Sequence, residues 1–336
     1  MKLVANAVLE LESLSLRLRR EGRTARVVDS VSWRVARSGS LGIVGESGCG
    51  KSLQALAVMR LLPRPAVDFD GGQIRVDGTD IIGLDAESMR RLRARRVAMI
   101  FQEPMTSLNP VFSVGEQIAE LLRERMDMGR QQAARRSVEL LDEVGIDDPA
   151  RRARQIPQEL SGGMRQRVMI AIALAGEPDV LLADEPTTAL AVTVQARILD
   201  LLDSLRANRG LAVVLITHDL ALVAGRSDEV AVMYAGRIVE RAPTARLFDR
   251  PSHPYTLGLL ACRPRIGEQR RTLPTIGGQV CDAFERPSGC AFHPRCPFAT
   301  ERCSQETPAL ADEGEGHMVA CFESARVRET GVWPGV

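Results

Sequence analysis

Gly45-Glu-Ser-Gly-Cys-Gly-Lys51-Ser52 is the stretch of sequence that decides the fold. It has the spacing G-x-x-x-x-G-K-[ST] of a P-loop, in which backbone N–H groups surround phosphate oxygens. Lys51 is one of only two lysines among 44 basic residues, and the others are arginines. A compact ammonium fits between phosphate oxygens inside a tight loop, whereas a planar guanidinium does not. The stretch therefore predicts a nucleotide site.

The residues on either side of this loop support the same interpretation. Ser40–Val44 is apolar enough for a buried strand, and the apolar spacing after Ser52 predicts a helix that stops at Pro63. Lys51 is expected at the β- and γ-phosphates, and the Ser52 hydroxyl at Mg²⁺. The expected nucleotide contacts in the loop are Gly45, Ser47, Gly48, Cys49, Gly50, Lys51 and Ser52.

Two further apolar segments end at residues suited to phosphate chemistry. Val180–Asp184 reads as a buried strand that ends at an acid and is followed by Glu185. Asp184 is expected in the Mg²⁺ shell and Glu185 beside the attacking water. The segment 212–217 reads as a neighbouring strand, and His218 after it is interpreted as catalytic rather than structural.

Leu160-Ser-Gly-Gly-Met-Arg-Gln166 is predicted to open a helix with Ser161 as its N-cap. The alternative is an ordinary capped helix. Two glycines in a helix start are costly unless something must approach the backbone closely, and a phosphate is a good candidate. Ser161, Gly162 and Gly163 are therefore candidate nucleotide contacts.

Composition limits the other function classes. The formal charge of +1 on 336 residues gives no strong field for nucleic acid, so no nucleic-acid partner is expected. There is no apolar run of 18 residues and no signal-peptide pattern, so we expect a cytoplasmic protein with reduced thiols. Of seven cysteines, Cys49 lies in the P-loop and six lie between Cys262 and Cys321, which marks a boundary near residues 245–255.

Four of these cysteines form a candidate metal site. Their spacing is C-x5-C-x6-C-x17-C, which is wider than zinc sites prefer and suits a [4Fe–4S] cluster. Zinc and unliganded thiols remain open on chemical grounds alone, and Cys262 and Cys281 are read as small core residues. The four candidate ligands are Cys290, Cys296, Cys303 and Cys321.

Taken together, these motifs resemble the ATP-binding subunit of ABC transporters over about residues 8–250. GESGCGKS is similar to its Walker A motif, LSGGMRQ to its signature, VLLADEP to its Walker B motif and His218 to its switch histidine. Gln102 matches the Q-loop glutamine, which the resemblance places at the nucleotide, at Mg²⁺ and in catalysis. The tail, with SHPYT at 252–256 and GCAFHPRCPFATERC, is similar to the C-terminal extension of the dipeptide/oligopeptide (and nickel) uptake branch.

The resemblance implies an α/β fold of three parts: a P-loop ABC-type ATPase domain with an antiparallel β subdomain, a helical subdomain, and a small cysteine-rich extension. The implied boundaries are 1–250 for the ATPase domain, about 104–170 for the helical subdomain, and 251–336 for the extension. ATP is expected between two head-to-tail ATPase domains, with Ser161-Gly162-Gly163 of one capping the γ-phosphate bound by the other.

The implied function is ATP hydrolysis that powers import of di- or oligopeptides. The implied partners are a second, non-identical ATPase subunit, two transmembrane permease subunits and, indirectly, a solute-binding protein, with the chain peripheral on the cytoplasmic face of the membrane. The alternatives are nickel or another solute, a soluble non-transport ABC ATPase, and a redox-sensing regulator built on the cluster. The resemblance also favours iron–sulfur over zinc, as a structural staple whose loss should leave nucleotide binding at Lys51 intact.

The sequence departs from the family at two places. Ala191 stands where the D-loop usually has aspartate, which suggests unequal ATP sites. The region about 25 residues before the P-loop also lacks the usual aromatic residue for stacking on adenine. Separately, Cys49 at a helix N-terminus is expected to favour its thiolate and to be protected from maleimide by MgATP.

Overall fold

The structure, a computed structural model, describes residues 7–102, 107–188, 190–263 and 274–333. The strands are β1 (Ala7–Arg20), β2 (Arg23–Ala36), β3 (Ser40–Val44), β4 (Val67–Val76), β5 (Thr79–Asp80), β6 (Val97–Ile100), β7 (Val180–Asp184), β8 (Ala212–Thr217), β9 (Glu229–Tyr234), β10 (Arg237–Pro243), β11 (Ala311–Asp312) and β12 (Met318–Val319). The α-helices are α1 (Lys51–Val58), α2 (Ala86–Arg95), α3 (Val114–Met126), α4 (Arg130–Glu143), α5 (Pro149–Arg152), α6 (Gly162–Leu174), α7 (Val192–Arg209), α8 (Leu220–Val223), α9 (Thr244–Asp249), α10 (Pro254–Ala261), α11 (Glu301–Gln305) and α12 (Ser324–Thr330).

The chain forms two compact units. The first contains the start of β1 through Leu9, Val35–Gly39 and Arg75–Val214. The second contains Glu10–Arg34, Ser40–Ile74 and Leu215–Val336. The P-loop therefore belongs to the same unit as the C-terminal residues.

The first unit combines a parallel strand pair with a helical portion. β6 pairs in parallel with β7, and Ile100 lies opposite Ala183, so both strands end at the same edge. α3 packs against α4, and α6 contacts both. Their apolar faces are buried, as shown by Ile118, Leu122 and Leu140 with no exposed surface. The helical subdomain predicted at about 104–170 overlaps these helices, α6 continues to Leu174, and the predicted start at 104 lies outside the described residues.

The second unit is built on β3. It pairs in parallel with β9, which pairs antiparallel with β10. β12 adds to the far edge of β10, with Val319 opposite Glu240. The same unit holds most of the hairpin of β1 and β2, whose two-residue turn at Glu21 and Gly22 has φ of 52° and 75°. Positive φ at both positions is the turn geometry that joins antiparallel strands.

Several predicted elements are confirmed. The strands 40–44, 180–184 and 212–217 have the predicted bounds, and the N-terminal segment is a strand. The helix after the P-loop ends at Val58 rather than at Pro63. Arg60 takes φ of 50°, and the Leu61 N–H donates to the Leu56 carbonyl at 2.8 Å. This is a Schellman-type helix end, in which the residue with positive φ is usually glycine. Because that residue is an arginine here, the sequence did not predict the end of the helix.

Among the described residues, no helix combines the length and the apolar character needed to cross a membrane.

Candidate functional site

The P-loop leaves β3 through a glycine that nothing larger can replace. A Cβ on Gly45 would lie 2.3 Å from the Met233 carbonyl oxygen and 2.9 Å from Cys49 Sγ. Gly50, the N-cap of α1, has φ of 96° and lies against the Val27 carbonyl. The backbone of β9 and β2 therefore presses the loop into a tight turn at the N-terminus of α1, where its N–H groups can meet an anion.

Lys51 is buried within this loop, with 4% of its surface exposed. Its ammonium donates to the carbonyl oxygens of Gly45 at 2.7 Å and Glu46 at 3.0 Å. The side chain therefore folds back onto its own loop and is held there by two backbone carbonyls.

Glu46 is held by residues far along the chain. Its backbone N–H donates to the Tyr255 hydroxyl at 2.9 Å. Its carboxylate accepts from Arg295 Nη1 at 3.0 and 3.2 Å. Burial raises the pKa of Tyr255, so its hydroxyl stays neutral. The C-terminal residues thus fix the second position of the P-loop.

The SHPYT segment explains how Tyr255 reaches the loop. The Ser252 and His253 N–H groups donate to the two carboxylate oxygens of the fully buried Glu240, at 2.7 and 2.9 Å. His253 Nδ1 accepts from the Tyr255 N–H at 3.0 Å and caps α10. Burial lowers the pKa of His253 to about 3, so this acceptor nitrogen is not protonated at neutral pH.

The environment of Cys49 does not favour its thiolate. It is 1% exposed, and burial raises the pKa of its thiol, although the Lys51 ammonium acts in the opposite direction. The prediction that the thiolate is favoured at this helix N-terminus is wrong here, because loss of solvation outweighs the Lys51 ammonium and the backbone hydrogen bonds that favour the charged form.

The first unit brings two predicted catalytic residues together. Gln102 follows β6, and Glu185 follows β7 in the left-handed region with φ of 45°. Gln102 Nε2 donates to Glu185 Oε2 at 3.0 Å, and the Thr188 hydroxyl donates to the same oxygen at 2.8 Å. Asp184, at the end of β7, is 4% exposed. The parallel pairing of β6 and β7 is what places these side chains at one edge.

Ser161 caps α6 as predicted, accepting from the Met164 N–H at 3.3 Å. The two glycines after it have neighbours within the chain. A Cβ on Gly163 would lie 2.7 Å from Val194 Cγ1, and one on Gly162 would touch Leu190. Within the chain, the close neighbour of Gly163 is therefore a side chain of α7, and the approach of a phosphate to these glycines stays a prediction.

Ala191 and His218 lie next to regular elements. Ala191 is the N-cap of α7 and supplies no side-chain acceptor. His218 is exposed and follows β8, whose first residues lie beside β7 in the first unit, as predicted. His218 itself belongs to the second unit.

The four predicted cysteine ligands line one small cavity of about 10 Å³ in the second unit, together with Phe292, Phe298 and His293. All four carry free thiols, and burial raises the pKa of Cys296 and Cys321 to about 12. Over the described ranges, no three His, Cys, Asp or Glu side chains are placed so as to hold a metal ion. The metal predictions, for iron–sulfur and for Mg²⁺, therefore stay predictions, while the convergence of the four cysteines on one cavity is observed.

Sequence reasoning missed two contributors. Tyr255 and Arg295 were not assigned to the P-loop, and nothing in their local sequence points to it. Near the β1–β2 turn, the guanidinium groups of Arg20 and Arg23 lie 4.7 and 5.1 Å from the ring centre of Phe284, a contact between the turn and the C-terminal region.

A buried strand that leads through a glycine-rich turn into a helix, and a second that ends at paired acids, define a P-loop ATPase. The ABC transporter family matches residues 28–188, and the oligopeptide/dipeptide transporter C-terminal region matches residues 239–303. The chain belongs to the ABC transporter ATP-binding family.

Two relatives share nearly the whole chain. A Brucella abortus protein named as a peptide import ATP-binding protein is 47% identical over 94% of this chain and 96% of its own length. A Sinorhizobium fredii protein named as a peptide ABC transporter ATP-binding protein is also 47% identical, over 96% and 97% of the two chains. The dimeric structure of a bacterial ABC transporter cassette matches with a TM-score of 0.63 and 26% identity, over 70% of this chain and 98% of that one.

Proposed function

We propose that this ATPase powers import of di- or oligopeptides through a separate membrane permease. The observation that carries the proposal is the 47% identity to peptide import ATP-binding proteins over 94% of the chain, tail included. The match of the C-terminal region to oligopeptide/dipeptide transporters supports the same branch. Nickel, or another solute, is the second candidate within transport.

The proposed residue roles are those that the motifs and the family resemblance imply, and the local geometry supports some of them. The P-loop N–H groups and Lys51 bind the phosphates, because they lie at the start of α1. Mg²⁺, which offsets phosphate charge, is assigned to Ser52, Asp184 and Gln102. Glu185 orients and polarises the attacking water, and His218 assists at the γ-phosphate. Gln102 holds the Glu185 carboxylate, which fixes the direction in which Glu185 accepts a hydrogen bond.

The proposed assembly has a second, non-identical ATPase subunit and two transmembrane permease subunits on the cytoplasmic face of the membrane, supplied indirectly by a solute-binding protein. The dimeric cassette structure supports pairing of two ATPase chains. In that pair, Ser161, Gly162 and Gly163 of one chain would meet the nucleotide of the other. The proposed division is an ATPase domain over 1–250, with a helical subdomain at about 104–170, and an extension over 251–336.

Transport by the reconstituted complex tests the function. The chain is purified with its co-isolating membrane partners, placed in proteoliposomes, and supplied with MgATP and either a labelled peptide or radioactive nickel. Peptide uptake that is lost in Lys51→Ala supports the proposal. Nickel uptake without peptide uptake moves the assignment to the second candidate. ATP hydrolysis by a chain that never co-isolates with a membrane partner favours a non-transport ATPase.

We also propose that Cys290, Cys296, Cys303 and Cys321 hold a [4Fe–4S] cluster that stabilises the tail. Their convergence on one cavity supports the proposal, because a cubane cluster needs four thiolates around one space. Anaerobically purified protein should be brown and contain about four irons per chain. Stoichiometric zinc without iron would replace the cluster with a zinc site. Changing any one of the four to Ser should also release the tail to protease, which reports structure rather than activity.

A further inference from the structure

We infer that Arg295 is a positioning residue for the P-loop, and that it links the cysteine cavity to nucleotide binding. The inference rests on the proposed binding of phosphates by the P-loop. It goes beyond that proposal by assigning a role in ATP binding to the C-terminal extension.

Arg295 is held from several directions. Its side chain is 6% exposed. Its Nε donates to the Gly277 carbonyl at 2.7 Å, and Nη2 donates to the Ile276 carbonyl at 3.3 Å. Nη1 is left to meet the Glu46 carboxylate and, at 3.3 Å, the Tyr234 hydroxyl. A guanidinium fixed in this way offers its charge at one place only, so it sets the position of Glu46.

Glu46 passes that constraint into the loop. Its carboxylate is bound by Arg295, its N–H by Tyr255, and its carbonyl by the Lys51 ammonium. Each polar group of this one residue therefore has a partner. Lys51 is the side chain expected to bind phosphate, so a shift of Glu46 moves one of the two carbonyls that position its ammonium.

An aromatic cluster stiffens the support. Tyr234, Tyr255 and Phe292 pack with ring centres 4.9 to 5.4 Å apart, and the Arg295 guanidinium lies 5.7 and 5.9 Å from the Tyr234 and Phe292 rings. Tyr234 ends β9, the strand beside β3. The cluster thus ties the extension to the strand pair from which the P-loop emerges.

Two of the cysteines are hydrogen-bonded through their backbone to the turn that carries Arg295. Arg295 ends the single helical turn His293–Arg295. The His293 N–H donates to the Cys290 carbonyl at 3.0 Å, and the Cys296 N–H donates to the His293 carbonyl at 3.2 Å. Both cysteines line the cavity. Binding or loss of a metal at their thiols would therefore act on the backbone that positions Arg295. The sequence alone led us to expect that loss of a cysteine leaves nucleotide binding unchanged, whereas the inference drawn from these contacts is that it weakens binding.

The test compares MgATP affinity and thermal stability of the full-length chain across variants. Arg295→Met should raise the Kd for MgATP by about fivefold or more, the lower range of coupling between linked sites. Arg295→Lys should recover only part of the loss, because it keeps the charge without the fork. Tyr255→Phe keeps the ring packing and removes one partner of Glu46, so it should also raise the Kd for MgATP. This variant tests the inference if Arg295→Met fails to fold. In steady state, KM for ATP should rise more than kcat falls.

Arg302→Met is the matched control. Arg302 is in the same extension, pairs with Glu306 at 3.0 Å and lies 3.9 Å from the Phe322 ring centre, without contact to the P-loop. Its Kd should match the wild type. Cys296→Ser should raise the Kd, and combining it with Arg295→Met should add little, because both act through one turn.

The outcomes separate this inference from the function on which it rests. If Lys51→Ala loses MgATP binding while Arg295→Met and Tyr255→Phe bind like the wild type, the positioning role is overturned. If Lys51→Ala binds MgATP normally, the P-loop assignment itself fails, and the inference with it. If Arg302→Met raises the Kd as much as Arg295→Met does, the effect comes from general destabilisation of the tail. That result would also overturn the positioning role.

Discussion

Gln102 and Glu185 are joined by a hydrogen bond of 3.0 Å from the glutamine amide nitrogen to the glutamate carboxylate. The two residues follow β6 and β7, so parallel pairing brings them together although 83 positions separate them in the chain. Thr188 donates to the same oxygen at 2.8 Å, so Oε2 accepts from two side chains. Two fixed donors on one oxygen orient the carboxylate, as expected for a group that must direct a water molecule.

Glu185→Gln should bind MgATP normally and hydrolyse it at least about 100-fold more slowly, because an amide cannot accept a proton from water. Nucleotide affinity and phosphate release measure the two effects separately. Glu139→Gln serves as the control, since Glu139 is a half-exposed acid on α4 of the same unit that pairs with Arg136. Full turnover by Glu185→Gln would remove Glu185 from the catalytic assignment.

Ala191→Asp should stabilise the chain by about 1 kcal/mol, because residue 191 is the N-cap of α7 and has the extended backbone that a capping side chain needs. Thermal unfolding measures this gain. Ala191→Asn should cap equally well without charge, so the pair of variants separates capping from electrostatics. A rise in ATPase rate with Asp alone would indicate that the missing D-loop carboxylate matters. Equal rates for all three proteins would end the hypothesis of unequal sites caused by Ala191.

Cys49 should react slowly with maleimide in the native protein at neutral pH, because it is buried and burial raises the pKa of its thiol. The half-buried Cys262 should be labelled before it. Mass spectrometry of labelled peptides over time, with Cys49→Ala as the reference, checks the order. Rapid labelling of Cys49 that MgATP prevents would restore the earlier expectation of a reactive, nucleotide-gated thiol.

His253 should make stability fall as the pH drops from about 6.5 towards 3. Its pKa is lowered to about 3 in the folded state, so below 6.5 the unfolded chain binds a proton that the folded chain does not. From pH 7 to pH 5 this group should cost about 2 kcal/mol. His253→Asn keeps an acceptor for the Tyr255 N–H and removes the titration, so its unfolding free energy should depend less on pH over this range. An unchanged pH dependence would show that His253 is not buried in its neutral form.

The sequence predicted the local parts of the site because each is encoded within a few residues. A run of apolar residues that ends at Gly45 or Asp184 indicates a buried strand, and a glycine-rich turn before Lys51 indicates a phosphate loop. The strand bounds and the Ser161 cap agree with these predictions. The end of α1 was missed because Arg60 adopts a backbone conformation that its residue type does not announce.

By itself the sequence determined the motifs, the order of the strands that carry them and the family, since these depend on backbone conformation and spacing over short distances. Only the tertiary structure decided what surrounds each group. It placed Arg295 and Tyr255 on Glu46 across 249 and 209 positions of sequence, and it buried Cys49 so that its thiol stays protonated. The physical reason is that desolvation and long-range hydrogen bonds arise from packing. Packing brings together residues that are distant in the chain, and their local sequences do not indicate which of them will be in contact.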